Sequence, residues 1–222
     1  MTVELEVPKS PASLYLAQGD EAKGMIERPV FTGDIFLLDD GRQVAVLQHP
    51  CSFSAGPVLR KKILVGEVKP SKQPSEKDWK RSFRYMYFPG LNETSQSVHF
   101  EDLEVLSTED LKLESRLCVL SLLGVNIFLQ RWINQNARFL VDTMKLNEVT
   151  SDVFEETDLK YEAAFELSIW GVEPQEAWAK VDAWLNEVSS ENVKRREYLK
   201  NPQYWSPLRR ELRQVLEDGS WH

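Results

Sequence analysis

Two apolar runs flank the tetrapeptide Asp39-Asp40-Gly41-Arg42, and no other stretch constrains the fold of this chain as strongly. A tight turn needs a residue that enters positive φ without a Cβ clash, and an Asp-Gly pair supplies one. The flanks, Ile35-Phe36-Leu37-Leu38 and Val44-Ala45-Val46-Leu47, are strand formers. They read as the two arms of a β-hairpin. Their apolarity is continuous rather than alternating, so both faces of these strands are expected to be covered, as in a small barrel.

More strand-like runs follow. Lys62 to Val68 carries Ile63, Val65 and Val68; Ser82 to Phe88 alternates Phe83, Tyr85 and Tyr87 with Ser82, Arg84 and Met86; Gln96 to Leu106 adds Val98, Phe100, Leu103 and Val105. Pro70, Pro74 and several lysines mark residues 69–78 as a solvent-crossing loop. Five short strands in about 80 residues is the spacing of a compact barrel or sandwich. Residues 1–28, with Pro8, Pro11 and Gly19 and no sustained period, read as an extended arm.

At Ser107 the pattern changes. Ser107 with Asp110 resembles a capping box, and helical spacing dominates from there on. Leu111–Leu123 and Val125–Val141 are expected to be two helices parted at Gly124, the first of them the seam between the halves. Leu146–Ser151 reads as a linker. Ser151-Asp152 then caps a helix reaching Trp170, which buries Phe154, Tyr161 and Phe165 and turns Glu155, Glu162 and Glu166 to water. Pro174 opens an amphipathic helix, and Ser206-Pro207 starts a last one. The expected fold class is α+β: an arm over 1–28, a small β-barrel over 29–106 and an all-helical region over 107–222.

A net charge of −8 argues against a broad, non-specific grip on nucleic acid. The two cysteines, Cys51 and Cys118, lie far apart in apolar surroundings and read as reduced thiols, which places the protein in the cytoplasm. Glu4 and Glu6 stand where a secretory signal would be apolar. The longest apolar run, Leu117–Leu129, is shorter than the roughly 20 residues of a membrane span, so no membrane association is expected. There is no phosphate-binding glycine loop, no His-Glu-x-x-His and no Gly-x-Ser-x-Gly. Neither a metal nor a cofactor is expected.

Three groups of residues carry candidate chemistry. His49 and Cys51 would share a face if extended, as a thiolate–imidazolium pair requires, although Pro50 stands between them. Arg131, Gln135 and Arg138 line up on one helix, where guanidinium groups suit an acidic partner or the chain's own carboxylates. Residues 194–213 concentrate Arg195, Arg196, Lys200, Arg209, Arg210 and Arg213 among Tyr198, Tyr204 and Trp205. That composition suits phosphates and bases; the same arginines could instead pair with the acidic helices.

Gly33-Asp34-Ile35, then a hairpin, then Arg42-Gln43-Val44-Ala45-Val46-Leu47 resembles the PemK and MazF-like toxins, over residues 28–106. Barrels of that family open with a Gly-Asp-hydrophobic strand and continue with Arg-Pro before a second strand; here Gln43 takes the place of the proline. The resemblance implies RNA cleavage without metal by a positioned cation. Arg42 stands for the family's arginine, and Ser52, within His49-Pro50-Cys51-Ser52, can stand for its Ser or Thr. With the other catalytic motifs missing, the expected function is a cytoplasmic, non-catalytic interaction or regulatory module, encoded by a bacterium, phage or mobile element. Its helical half would bind a protein partner. The alternatives are a toxin-like ribonuclease using Arg42 with His49, Cys51 or Ser52, and a nucleic-acid binder using residues 194–213.

Overall fold

The computed structural model describes residues 4–55, 58–91, 93–189 and 191–221. The fold class is α+β, and the chain divides into two compact units. The first comprises Met1–Met25, Val30–Phe53 and Arg60–Glu148; the second comprises Ile26–Pro29, Ser54–Leu59 and Val149–His222.

The first unit is built on a seven-stranded antiparallel sheet. Its strands are β1 (Tyr15–Gln18), β2 (Ile35–Leu37), β3 (Gln43–Val46), β6 (Lys62–Pro70), β7 (Tyr85–Leu91), β8 (Thr94–Ser107) and β9 (Arg116–Leu120), in the order β1-β9-β2-β3-β6-β8-β7. Two short strands outside this sheet, β4 (Ser54–Ala55) and β5 (Val58–Leu59), pair with each other in the second unit. The large sheet curls until its edges nearly meet, where the Tyr15 hydroxyl donates to the Pro89 carbonyl at 3.0 Å. The expected hairpin forms with Ile35 opposite Ala45 and Leu37 opposite Gln43, and Gly41 takes φ +86° in its turn. Val44, Ala45 and Val46 are all buried, so β3 is covered on both faces.

Three expectations in this unit change. Within residues 1–28, expected as an extended arm, β1 pairs with β9 and is followed by helix α1 (Gly19–Lys23), while Leu5, Leu14, Ala17, Ala22 and Met25 are buried. The 69–78 loop ends in helix α3 (Glu76–Arg81), opened by a capping box between Ser75 and Asp78. The expected helix Leu111–Leu123 is instead a 3₁₀ turn over Leu113–Ser115 followed by β9, all five residues of which are buried between β1 and β2, and only Leu122 and Leu123 are helical. Short apolar runs of this kind fit a buried strand and a buried helix equally well, and here the unpaired edges of β1 and β2 decided the outcome. Ser107 caps only a 3₁₀ turn over Thr108–Asp110.

Between β3 and β4 lies a short helix, α2 (Pro50–Phe53). After β9, Ser121 caps helix α4 (Leu122–Ala137) through a hydrogen bond from Gly124 N. This helix packs Phe128 edge-to-face on Phe100 and beside Phe88, closing the apolar interior. Helix α5 (Thr143–Ser168) runs through the expected 146–151 linker without a break.

The second unit holds Val149 to the end of α5, then α6 (Pro174–Asn186), α7 (Arg195–Tyr198) and α8 (Trp205–Glu217). Its core is a stripe of Leu159, Ala163, Ala164 and Leu167 on α5 with Ala177, Trp178, Val181 and Leu185 on α6 and Leu208, Leu212 and Leu216 on α8. Residues 26–29 are built into it: Trp178 Nε1 donates to the Glu27 carbonyl at 2.7 Å, and Arg28 pairs with Asp158 at 2.6 Å.

Gly124 is where helix α4 touches the N-terminal stretch. Helix propensity alone makes Gly→Ala favourable by about 1 kcal/mol. A Cβ at this position would sit 2.2 Å from the Leu14 carbonyl oxygen, a backbone atom already accepting from Ser121 N. Gly124→Ala is therefore expected to destabilise the protein by about 2 kcal/mol. Urea unfolding tests this: the midpoint should fall with the slope unchanged.

Candidate functional site

The hairpin candidates are not brought together. Arg42 lies at the turn, where its backbone N–H and Nε donate to Asp40 at 2.9 and 2.7 Å, and a third bond joins its guanidinium to Glu104 on β8. These hydrogen bonds, first Asp40 and then Glu104, hold the Arg42 pKa above its ordinary value. His49 and Ser52 lie beyond the other end of β3, in and just before α2. Leu47 N still donates to Leu64 O, so the chain between is extended, and about 3.3 Å per residue carries Leu47 on the order of 16 Å from Arg42, with His49 two residues further on. His49 is half-buried and its carbonyl accepts from Ser52 N at 2.8 Å; the Ser52 side chain is exposed. The Cys51 side chain lies outside the described residues. Cys118 is a buried thiol, with its pKa pushed up by desolvation and then by Asp34.

The row on α4 also separates. Arg131 is fully buried, donates to the Trp79 and Glu6 carbonyls at 2.6 and 3.2 Å and lies 4.9 Å over the Trp79 ring. Desolvation lowers its pKa to about 10, opposed by Tyr87 and Glu6, so it remains charged at neutral pH. Gln135 donates to Glu101 at 3.3 Å. Arg138, at φ +58°, ends the helix and lies over the Phe83 ring. Near Phe83 a shallow groove of about 380 Å³ is lined by Lys77, Asp78, Arg81, Ser82 and Arg84; Lys77 falls in the expected loop and Arg84 in the expected strand, and all three cations are exposed.

In the second unit, the basic segment pairs with the protein's own carboxylates. Arg209 makes a bidentate bond to Glu155 at 2.6 and 2.7 Å and approaches Asp158 and Glu162 at 3.6 Å. Arg213 bonds Glu162 at 2.5 Å. Arg195 bridges Glu211 and Glu187, Arg196 bridges Glu156 and Asp182, and Lys200 pairs with Glu197. Arg210 is exposed and makes no ion pair among the described residues. The face of α5 expected to be wet is thus an inter-helical seam: Glu155 is buried, and the arginines at i and i+4 on α8 match it. Only Glu166 of that acidic trio is exposed.

Phe165, expected inside, is one of three large apolar side chains standing in solvent at the end of α5. Phe165 is 53 % exposed, Ile169 73 % and Trp170 64 %. Beside them a groove of about 340 Å³ is lined by Glu162, Glu166, Leu167 and Trp170 together with Arg213, Leu216 and Glu217. Sequence spacing held a signal for this patch: once Leu159, Ala163 and Leu167 define the buried stripe, Phe165 and Ile169 fall outside it.

Among the described residues no group of three or more His, Cys, Asp or Glu is placed to hold a metal ion, and no helix is long and apolar enough to cross a membrane. No family model matches the chain, and no curated protein matches it.

The two arginines of the α8 seam should differ sharply. Arg209→Ala leaves the Glu155 carboxylate, its side chain 5 % exposed, without its bidentate partner, whereas the Arg213 side chain is 61 % exposed. The expected losses in urea unfolding are about 2–3 kcal/mol for Arg209→Ala, below the range for a wholly buried pair. Arg213→Ala should cost under about 1 kcal/mol. Equal losses would show that the seam is uniformly solvated.

Proposed function

We propose that this protein is a cytoplasmic, non-catalytic interaction module in which a PemK/MazF-like barrel is the scaffold and the helical half binds a protein partner. The observation that carries this reading is the exposure of Phe165, Ile169 and Trp170 within six residues at the end of α5. Isolated apolar side chains are ordinary on surfaces, but a contiguous group beside a groove is costly to leave in water and marks a docking surface. Tryptophan is also among the residues that dominate binding energy when an interface closes over them. The separation of Arg42 from His49 and Ser52 supports the scaffold role over the nuclease one. The internal pairing of Arg195, Arg196, Lys200, Arg209 and Arg213 gives the nucleic-acid reading little free charge.

The test is affinity capture from the native host with the full chain as bait. A stoichiometric protein is expected with the wild-type chain and with Arg42→Ala. It should be lost with Ile169→Glu/Trp170→Glu, whose circular dichroism and thermal midpoint stay at wild-type values. Loss of a tryptophan hot spot costs about 2 kcal/mol or more, a roughly 30-fold weakening. Recovery of the same protein by the double variant would overturn the reading, as would growth arrest on expression that Arg42→Ala relieves. Concentration-dependent dimerisation abolished by the double variant would reassign the face to a second copy of the chain.

A further inference from the structure

Resting on that interaction reading, we infer that the groove at the ends of α5 and α8 receives a cationic side chain, the arginine or lysine of a basic amphipathic segment in the partner. The groove lies along the C-terminal parts of two helices. Glu162, Glu166 and Leu167 come from α5, with Trp170 just beyond its end, and Arg213, Leu216 and Glu217 come from α8. Carbonyls at both helix ends are already bonded, Leu167 O by Trp170 N and Val172 N and Leu216 O by Gly219 N, so the two C-termini add only a residual negative potential to the side chains at the groove.

The side chains add to the same sign. Three carboxylates line the groove against a single guanidinium. Arg213 is bonded to Glu162, which leaves Glu166 and Glu217, both exposed and neither in a salt bridge among the described residues. Trp170, 64 % exposed, lends the groove an indole, the best aromatic platform for a guanidinium or ammonium group. An anion would meet two carboxylates and two helix C-termini, and a wholly apolar segment would bury Glu166 and Glu217 without partners, which is costly. A cation satisfies all of these groups together, while Phe165 and Ile169 take the apolar side of the same segment. The volume of about 340 Å³ holds one long side chain rather than a folded element.

The experiment uses the full chain and a pair of synthetic probes: a short amphipathic helical peptide with arginines along one edge of its leucine face, and its twin with citrulline at each arginine. Citrulline keeps the shape and removes the charge. The Trp170 indole N–H resonance, identified as the one missing from Trp170→Phe, reports occupancy of the groove. The expected result is saturable movement of that resonance and a dissociation constant about tenfold lower for the arginine peptide than for its twin. Glu166→Gln/Glu217→Gln should bring the arginine peptide to the level of the twin and leave the twin unchanged; both carboxylates are exposed, so folding is not at stake. Added salt should narrow the gap between the peptides. Equal binding of the twins, or a preference that survives the double Gln variant, overturns the cationic assignment, and so does failure of both peptides to move the Trp170 resonance. None of these outcomes alters the Trp170-dependent capture of a host protein, so failure of the cation site and failure of the interaction reading are separately visible.

Discussion

A carboxylate and a guanidinium buried together organise the first unit. Asp34 and Arg116 are both shut off from water, with Arg116 Nε 3.4 Å from Asp34 Oδ2. Each is further held: Asp34 accepts from Phe31 N at 3.0 Å, and Arg116 donates to the Met25 carbonyl at 2.8 Å and lies over the Phe36 ring. Desolvating two charges costs several kcal/mol per ion, repaid only when the geometry is good and the remaining groups are bonded. The pair ties the residue before β2 to the first residue of β9, across a ladder whose register shifts between Ile35 and Phe36, so a further slip of β9 would part the two charges. The Gly33-Asp34 motif that suggested a toxin-like barrel has this structural use for its carboxylate.

Arginine serves this protein mainly as an internal connector. Arg28, Arg116 and Arg131 are all fully buried, and each lies over an aromatic ring, those of Phe154, Phe36 and Trp79, while donating to a carboxylate or a main-chain carbonyl. A planar, weakly hydrated guanidinium loses less on burial than an ammonium would, and its fork of donors can satisfy several carbonyls at once. Along α8 the same chemistry works at the rim of a seam, where arginines meet the carboxylates of α5. A chain can thus carry a concentrated basic segment and still offer little positive charge to solvent.

The apolar end of α5 follows from that arrangement. With Leu159, Ala163 and Leu167 turned to the core and Glu155 and Glu162 given to the arginines of α8, the remaining face presents Phe165 and Ile169, and Trp170 follows at the helix end. The exposed face is what the two satisfied stripes leave over. Its neighbouring groove holds Glu162, bonded to Arg213, together with Glu166 and Glu217, which make no salt bridge among the described residues.

Local chemistry in the sequence determined the Asp-Gly hairpin, the strand runs expected at 62–68, 82–88 and 96–106 (62–70, 85–91 and 94–107 in the structure), the α+β class and the amphipathic helix at Pro174, because turn geometry and hydrophobic period act within a few residues of one another. It could not determine that Arg116–Leu120 is a strand, since a short run buried all round has no period and only the free edges of β1 and β2 select its state. Nor could it tell that Glu155 faces arginine rather than water, or that Arg131 is buried while Arg138 is exposed on the same helix. Charge on a helix face has the same sequence signature whether its counter-ion is solvent or a residue some fifty positions away, and only tertiary packing decides between them.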